Sequence, residues 1–372
     1  MFGTREKFLI LNIEPAGPRT VVLGVGEDKN IRFQKNLDDW NIPKFLKDIS
    51  RKNLTAVVSL HPALGAVRIV PFKFVRQTQS APLEHTELEN FLAQLSQKAF
   101  LEFRADVAEE LGIDELDAIL VESKPFAYRA DGSSVSSPIG HKSKEIHGFL
   151  ELLFTTRNAF DLMQPTIYSG NPVFMTLHDK SELMSLKKMG MTKISLLEFS
   201  EEGGARILKF DLDKKNNEPM SRKSVAWSPS RFFTRLEELW NVDHKTATSI
   251  YFRYLKDEIS PKLRAQIERI WNKETNILFS ALRQAGVRGE VYMKTWMPLP
   301  LTLPARQKGI TLLEFPFGDI FEKLGFTFEG KLSGLTPREA FAQLSPFVEC
   351  YYDSSDPQVS HSLRRRIHWL IG

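Results

Sequence analysis

The stretch FLILNIEPAGPRTVVLGV, from Phe8 to Val25, decides the fold. Two apolar runs flank a short segment that carries Pro15, Gly17 and Pro18. Proline and glycine interrupt strands and favour turns, so this pattern predicts two strands joined as a hairpin. The hairpin opens a sheet near the start of the chain.

The same order of strand, turn and strand recurs in the middle of the chain. Lys193 to Phe199 and Arg206 to Leu212 are strand-like, and Glu201-Glu202-Gly203-Gly204 separates them. At 372 residues the chain is also too long for one ordinary hydrophobic core. The repetition therefore predicts two similar halves, each of which opens its own sheet.

A small α+β unit is predicted within the first half. Apolar residues recur at helical intervals from Thr86 to Leu111, and Leu116 to Ala130 and Gly148 to Thr156 are strand-like. Asp131-Gly132-Ser133-Ser134 predicts a tight turn between those strands. Further helices are predicted at Ile42–Ile49, Ser181–Met189, Ser230–Trp240, Lys245–Leu255 and Lys262–Gln284, and further strands at Thr55–Leu60, Ala66–Phe74 and Glu290–Thr295.

This order of elements resembles the actin-like superfamily, and its details look most like the FtsA-like and PilM-like proteins. The sequences DELDAILVESKPFAYRADG, SSPIGHKS and GFLELLFTT resemble the inserted subdomain of that family, the SHS2 module. Where the family has Asp-Gly and then Asn-Pro-x-Gly, this chain has Asp131-Gly132 and Ser137-Pro138-Ile139-Gly140.

The resemblance implies an α/β protein with a two-lobed actin-like (ribonuclease H-like) fold and a small α+β insertion in the first lobe. Residues 1–80 would form the N-terminal part of the first lobe, and 81–165 the SHS2-like insertion. Residues 166–350 would form the second lobe, and 351–372 a linker with a short basic amphipathic tail.

The first hairpin turn departs from the family's nucleotide-binding pattern. In actin-like ATPases each hairpin turn carries Asp-x-Gly, which holds phosphate and organises magnesium. This chain has Asn12-Ile13-Glu14-Pro15 instead. Asn12 lacks the charge, Glu14 would repel phosphate, and Pro15 has no N–H to donate.

The other two nucleotide elements are also altered. Glu198 and the carboxylates after it precede Gly203 and Gly204, and Thr295-Trp296-Met297-Pro298 replaces the family's adenosine-side Gly-Gly. We expect no cofactor, no metal and no catalytic residue. The alternative is that Asn12, Glu14 and Glu198 hold ATP or magnesium in a modified arrangement.

Other chemistry has little support in the sequence. The histidines never take a metal-ligand spacing, and the chain has no Walker loop, nucleophile elbow or dinucleotide fingerprint. The aromatic and basic stretch from Ser249 to Arg264 would suit RNA, but its apolar residues fit one buried helix face. We therefore expect no nucleic acid partner.

The last ten residues, Leu363 to Gly372, have the character of a membrane-binding helix. Their apolar side chains share one helical face, arginines flank it, and Trp369 suits the headgroup boundary. The candidate membrane-binding residues are Leu363, Arg364, Arg365, Arg366, Ile367, Trp369, Leu370 and Ile371. The alternative is that this segment docks on the protein's own core.

Composition predicts a cytoplasmic setting. Cys350 is the lone cysteine, the net charge is +4, and the sequence has neither a signal peptide pattern nor a long uncharged apolar stretch. Any membrane contact would be peripheral, on the inner face of the cell membrane.

The sequence thus predicts a non-catalytic or weakly nucleotide-binding actin-like adaptor. It would assemble a membrane-associated complex in cell division or in envelope or pilus assembly, with protein partners and self-association through the insertion. The alternative is an active ATPase of the same superfamily with unusual phosphate loops.

Overall fold

The computed structural model describes residues 6–37, 54–76, 81–199, 204–211, 220–295, 299–329 and 336–353. The described residues form two compact units. The first unit contains those up to Gly190 and those from Phe317 onward, and the second contains those between Met191 and Pro316.

The first unit is built on a six-stranded sheet that the predicted hairpin opens. Its strands are β1 (Glu6–Glu14), β2 (Gly17–Val25), β3 (Asn30–Leu37), β4 (Leu54–Leu60), β9 (Val173–Leu177) and β16 (Thr327–Glu329). They lie in the order β16-β3-β2-β1-β4-β9. The helix expected at Ile42–Ile49 lies outside the described residues.

The second unit is built on another six-stranded sheet. Its strands are β10 (Lys193–Phe199), β11 (Ala205–Asp211), β12 (Met220–Val225), β13 (Gly289–Thr295), β14 (Arg306–Gln307) and β15 (Ile310–Glu314). They lie in the order β12-β11-β10-β13-β15-β14.

The two sheets repeat one topology. β1-β2-β3 and β10-β11-β12 are antiparallel meanders, and each first strand then pairs in parallel with a later one, β4 or β13. β9 and β15 extend the sheets by a further parallel pairing. The repeat confirms the predicted actin-like α/β fold class, with the two hairpins at corresponding places.

The insertion between β4 and β9 has its own four-stranded sheet. Its strands are β5 (Gly65–Val75), β6 (Ala118–Ala130), β7 (Ser133–Ser134) and β8 (Glu145–Thr156), in the order β5-β8-β6-β7. Helix α1 (His85–Leu111) packs on the sheet and ends at Gly112, whose φ of 65° suits glycine.

The turn between β6 and β7 follows the predicted Asp-Gly pattern. Asp131 and Gly132 have φ of 46° and 87°, as a two-residue hairpin turn requires. The Asp131 carboxylate accepts hydrogen bonds from the backbone N–H groups of Lys144 and Glu145. The aspartate therefore fixes both the turn and the start of β8.

The other helices cover the sheets. They are α2 (Arg157–Ile167), α3 (His178–Lys188), α4 (Ser230–Trp240), α5 (His244–Leu255), α6 (Pro261–Gln284), α7 (Asp319–Lys323) and α8 (Pro337–Tyr351). In the second unit, α4, α5 and α6 share an aromatic core around Phe232 and Trp271.

The boundaries of these parts differ from the expected ones at two places. The insertion's sheet begins at Gly65 rather than 81, because β5 pairs with β8 along its whole length. Residues 166–190 and 317–350 were expected in the second lobe, whereas the described residues among them belong to the first unit. The reason is strand pairing, since β9 joins β4 and β16 joins β3.

A buried ion cluster connects the insertion to the first unit. The Nζ of Lys180 on α3 lies 2.6 Å from Glu151 Oε1 on β8 and 2.7 Å from Glu349 Oε1 on α8. Thr176 donates a hydrogen bond to the other oxygen of Glu349. Burial alone lowers the pKa of the Lys180 ammonium, but the two carboxylates outweigh it and hold that pKa above its ordinary value.

A second ion pair lies beside this cluster. Lys124 on β6 is directly opposite Glu151 in the strand register, and its Nζ lies 2.7 Å from the Asp353 carboxylate beyond α8. The Lys124 ammonium also lies over the Phe174 ring, 4.4 Å from its centroid. Two adjacent strands of the insertion therefore contact the α8 region through charge.

We predict that Lys180→Ala destabilises the first unit by about 3–5 kcal/mol, because it leaves two buried carboxylates without their cation. The triple change of Lys180→Met, Glu151→Leu and Glu349→Leu should recover most of that loss, because apolar groups of similar volume need no counter-charge. Urea unfolding followed by far-UV circular dichroism measures both.

The matched control is Lys98→Ala, which removes an exposed lysine from α1 in the same unit. It should change the free energy of unfolding by less than about 0.5 kcal/mol. A Lys180→Ala variant as stable as this control would contradict the assigned role of the cluster.

Candidate functional site

The first candidate region is the carboxyl end of β1 and β4, where ligands of open α/β sheets commonly bind. Asn12 on β1 lies beside Ser59 on β4 and opposite Arg19 on β2. The Asn12 side chain is buried, and its Nδ2 donates to the main-chain oxygen of Gln343 on α8, at 3.3 Å. A residue expected to face nucleotide therefore anchors α8.

The turn that follows Asn12 is short, and the residues on either side of it pair with each other. Glu14 pairs with Gly17, so only Pro15 and Ala16 form the turn. The Glu14 carboxylate forms an ion pair with the Arg19 guanidinium across the hairpin, at 3.0 Å. Such a short turn, with one proline, offers few N–H groups to a phosphate.

The corresponding position in the second unit is Glu198 on β10. It lies opposite Arg206 on β11 and beside Lys294 on β13, just as Asn12 lies opposite Arg19 and beside Ser59. The equivalence follows from strand register alone.

The carboxylate of Glu198 lies between two cations. Its Oε1 is 3.4 Å from the Nζ of Lys294, and its Oε2 is 3.3 Å from Nη2 of Arg206. Lys294 is 0% exposed, and Glu198 is buried as well. Because a buried ion pair loses much when one partner is withdrawn, this carboxylate is a poor candidate to leave its cations for magnesium.

The structure thus brings three of the predicted residues to partners within their own units. Asn12 contacts α8, Glu14 contacts Arg19, and Glu198 contacts Lys294 and Arg206. Gly204 is exposed and directly precedes β11. Gly203, the segment 296–298 and the predicted membrane-binding residues at 363–367 and 369–371 lie outside the described residues.

Three charged residues at these strand ends escaped the sequence analysis. Arg19 and Arg206 could have been found by counting outward from the hairpin turns, which gives the residue opposite Asn12 or Glu198. Lys294 gave no comparable signal, because a lysine within a strand is usually exposed.

The described ranges contain neither a metal-binding cluster nor a reactive thiol. No group of three or more His, Cys, Asp or Glu residues in those ranges is arranged to hold a metal ion. Burial raises the pKa of the Cys350 thiol to about 12, which keeps it protonated and unreactive near neutral pH. No helix among the residues that the structure describes has the length and apolar character to cross a membrane.

Comparison with solved structures finds similar chains that extend over almost the full length. One, titled PilM-PilN type IV pilus biogenesis complex, is 11% identical with a TM-score of 0.43, and covers 96% of this chain and 98% of its own. A Bacteroides thetaiotaomicron protein with an actin-like ATPase fold and unknown function is 8% identical, with a TM-score of 0.34 and coverage of 91% and 96%.

A third similar structure is the cytoplasmic domain of EpsL, an inner membrane component of the type II secretion system of Vibrio cholerae. It is 10% identical with a TM-score of 0.32, and covers 94% of this chain and 96% of its own. No protein-family model matches the sequence, and no curated protein matches it. The fold assignment rests on the repeated strand order described above.

We predict that Glu198→Ala destabilises the second unit by about 3–5 kcal/mol, because Lys294 is then buried without this carboxylate. Combining Glu198→Leu with Lys294→Met should restore most of the stability. Urea unfolding followed by tryptophan fluorescence is a suitable measurement, since Trp227 and Trp271 lie in the core of this unit.

Glu290→Ala is the matched control, because Glu290 is an exposed carboxylate on the same strand as Lys294. It should leave the unfolding midpoint nearly unchanged. If Glu198→Ala behaved like Glu290→Ala, the ion pair would not be the group that holds this strand end.

Proposed function

We propose that this protein is a non-catalytic actin-like adaptor that assembles a membrane-associated complex in cell division or in envelope or pilus assembly. The observation that carries the proposal is that the three residues expected to hold nucleotide at the strand ends each form an internal contact. Asn12 anchors α8, Glu14 pairs with Arg19, and Glu198 pairs with Lys294 and Arg206.

The energetic argument is that nucleotide must compete with these internal partners. A triphosphate needs several N–H donors and a magnesium ligand at once. The Pro15-Ala16 turn supplies few donors, and Glu14 adds a like charge close to where phosphate would lie. Freeing Glu198 would leave the buried Lys294 without it.

The adaptor role is supported by the way in which the insertion is held. The Lys180 cluster fixes the insertion on its own unit, so that its outer surface is presented in a constant orientation to a partner. Leu101 on α1 and Leu116 beside the start of β6 are 69% and 70% exposed. We propose that these apolar side chains belong to a surface for protein partners or for self-association.

We predict that Mg-ATP at about 5 mM leaves the melting temperature unchanged within about 1 °C, because the described strand ends hold Asn12, Glu14 and Glu198 in internal contacts that nucleotide would have to displace. Binding with a Kd of about 50 µM would instead add about 2.7 kcal/mol of stability and raise the melting temperature by several degrees. Differential scanning fluorimetry measures this shift.

Two controls separate specific binding from charge effects. Magnesium tripolyphosphate carries similar charge without adenosine, and an actin-like ATPase that keeps Asp-x-Gly serves as the positive control. A clear rise in melting temperature with Mg-ATP, abolished by Asn12→Ala, would establish nucleotide binding and contradict the adaptor proposal.

The second candidate function is an active ATPase with unusual phosphate loops. One observation favours it: the buried oxygens Asn12 Oδ1 and Ser59 Oγ have no hydrogen-bond partner among the described residues. They lie side by side at the strand ends, where a bound group could satisfy them. The thermal-shift experiment decides between the two functions.

The membrane part of the proposal rests on the amphipathic sequence from Leu363 to Gly372. We predict that the full chain sediments with vesicles rich in phosphatidylglycerol and that deletion of this segment releases it. Changing Arg364, Arg365 and Arg366 to glutamine should weaken the binding at low salt, because each cation near an anionic surface contributes about 1 kcal/mol.

Phosphatidylcholine vesicles provide the uncharged control and should bind the chain weakly. Unchanged sedimentation of the deletion variant would remove the membrane part of the proposal. The adaptor role would then depend on protein contacts alone.

A further inference from the structure

Helix α5 in the second unit has one face in the core and another in solvent. Ala247 and Tyr251 are buried among the aromatic side chains of α4 and α6. The Tyr251 hydroxyl donates to the main-chain oxygen of Pro300, and the Asp243 side chain caps the helix by accepting from the Thr246 N–H. The solvent face is therefore held on a fixed helix.

That face borders an open cavity of about 580 Å³. Its wall includes His244, which contacts Glu237, together with Lys245, Thr248, Phe252, Arg253 and Lys256. The Phe252 ring is 56% exposed. A volume of this size accommodates a few side chains of another molecule, and an exposed aromatic ring at such a site is a typical anchor for them.

The charge of this face is positive and not balanced locally. From His244 to Lys256 the sequence contains no acidic residue. Lys245, Arg253 and Lys256 are exposed, and no ion pair joins them to another described residue. Among the acids that flank the helix in sequence, Asp243 caps its first turn and Asp257 contacts Arg264. Glu237 contacts His244 at one end of the cavity, and Glu258 follows Lys256 at the other end of the helix.

A further polar atom in the cavity wall is unsatisfied. The Thr248 Oγ1 is buried and has no hydrogen-bond partner within the described part of the chain. It lies one helical turn before Phe252, in the same wall. A hydrogen-bond donor or acceptor on a bound molecule would satisfy this hydroxyl.

The aromatic side chains argue against nucleic acid as the occupant. Single strands are held by several exposed rings on which successive bases stack. Here Tyr251 is turned into the core, and Tyr254 is half-buried beneath the Arg264 guanidinium. Phe252 alone is exposed among the aromatic side chains that line this cavity.

We propose that this face of α5 docks an acidic segment of a partner protein. An apolar side chain of the partner covers Phe252, and its carboxylates face Lys245, Arg253 and Lys256. At about 1.5 Å of rise per residue, Lys245 and Lys256 are about 17 Å apart along the helix. The segment therefore spans about three helical turns or about five extended residues.

This inference deepens the adaptor proposal by naming a partner class, and it rests on that proposal only in taking the partner to be a protein. The surface lies in the second unit, and none of the residues that line it belongs to the insertion or to the strand ends described above. Its test does not depend on whether the chain binds nucleotide or lipid.

The probe is a displayed library of random 12-residue peptides, selected on the immobilised full-length chain at about 0.15 M salt, where long-range attraction is screened. The selected peptides are resynthesised with a fluorescent label, and their affinity is measured by anisotropy. We expect the enriched sequences to combine several Asp or Glu residues with one aromatic or large aliphatic residue.

Two variants locate the binding. Phe252→Ala should weaken the selected peptides by about tenfold or more, as loss of an anchoring aromatic residue does. Combined Lys245→Glu, Arg253→Glu and Lys256→Glu should weaken them at least as much. These side chains are exposed, so circular dichroism should show both variants folded like the parent chain.

The matched control is the combined change of Lys262, Arg269 and Lys273 to glutamate on α6. It alters net charge by the same amount within the same unit, at three exposed cations. It should leave peptide affinity within about twofold, since none of these three side chains lines the cavity and salt weakens interactions between exposed charges that are not in contact.

Three results would overturn the proposal. One is a selection without acidic sequences, and another is selected peptides that bind all three variants equally. The third is that a labelled single-stranded RNA or anionic vesicles bind more tightly than the selected peptides, and that this binding is abolished by Phe252→Ala and by the α5 charge reversal. A Mg-ATP shift or a loss of vesicle binding at 363–372 would change the proposed function but leave this result standing.

Discussion

A lysine removed from water remains charged only beside carboxylates, and this requirement ties three distant segments of the first unit together. Lys180 on α3 lies between Glu151 from the insertion and Glu349 from α8. Removing the lysine would leave two carboxylates in the interior without their cation. The insertion is thus bound to the sheet by an interaction that tolerates little displacement, which suits a part that presents a surface to other proteins.

The helices and strands that could be predicted from the sequence are those with the strongest local patterns. The two hairpins were predictable because proline and glycine divide apolar runs, and α1 and α6 because their apolar residues recur over many turns. Helix α8 was not predicted, since Pro346 interrupts its pattern and indicates a break. Its packing on β1, with the Phe8 and Phe347 rings 4.9 Å apart, depends on tertiary contacts that no local window contains.

Strand partnership was harder to predict than strand position. The segment that forms β5 was expected as a strand, but an alternating pattern fits any half-buried sheet equally well. Only its pairing with β8 assigns it to the insertion. For the same reason, residues 166–190 and 317–350 were expected in the second lobe, because β9 and β16 are short and their partners lie far away in sequence.

At the strand ends, Asn12 and Glu198 were identified from the sequence, but the residues that they contact were not. Asn12 and Glu198 were found from their places before the hairpin turns, and register then put Arg19 and Arg206 opposite them. Lys294 could not be anticipated, because a fully buried lysine contradicts the usual preference of its type and is tolerated only beside Glu198. The altered residues were visible in sequence, whereas their internal pairing required coordinates.

The return of the chain to its first unit at Phe317 has a consequence for dissection of the protein. The sequence of the second unit lies between two stretches of the first, so a single proteolytic cut between the units would not free either one. A fragment that stopped at Gly190 would lack β16 and α8, would expose Phe8, and would leave Lys180 with Glu151 as the remaining carboxylate of the cluster. The described residues of the second unit all fall between Met191 and Pro316, whereas those of the first unit fall in two separated stretches that a linker would have to rejoin.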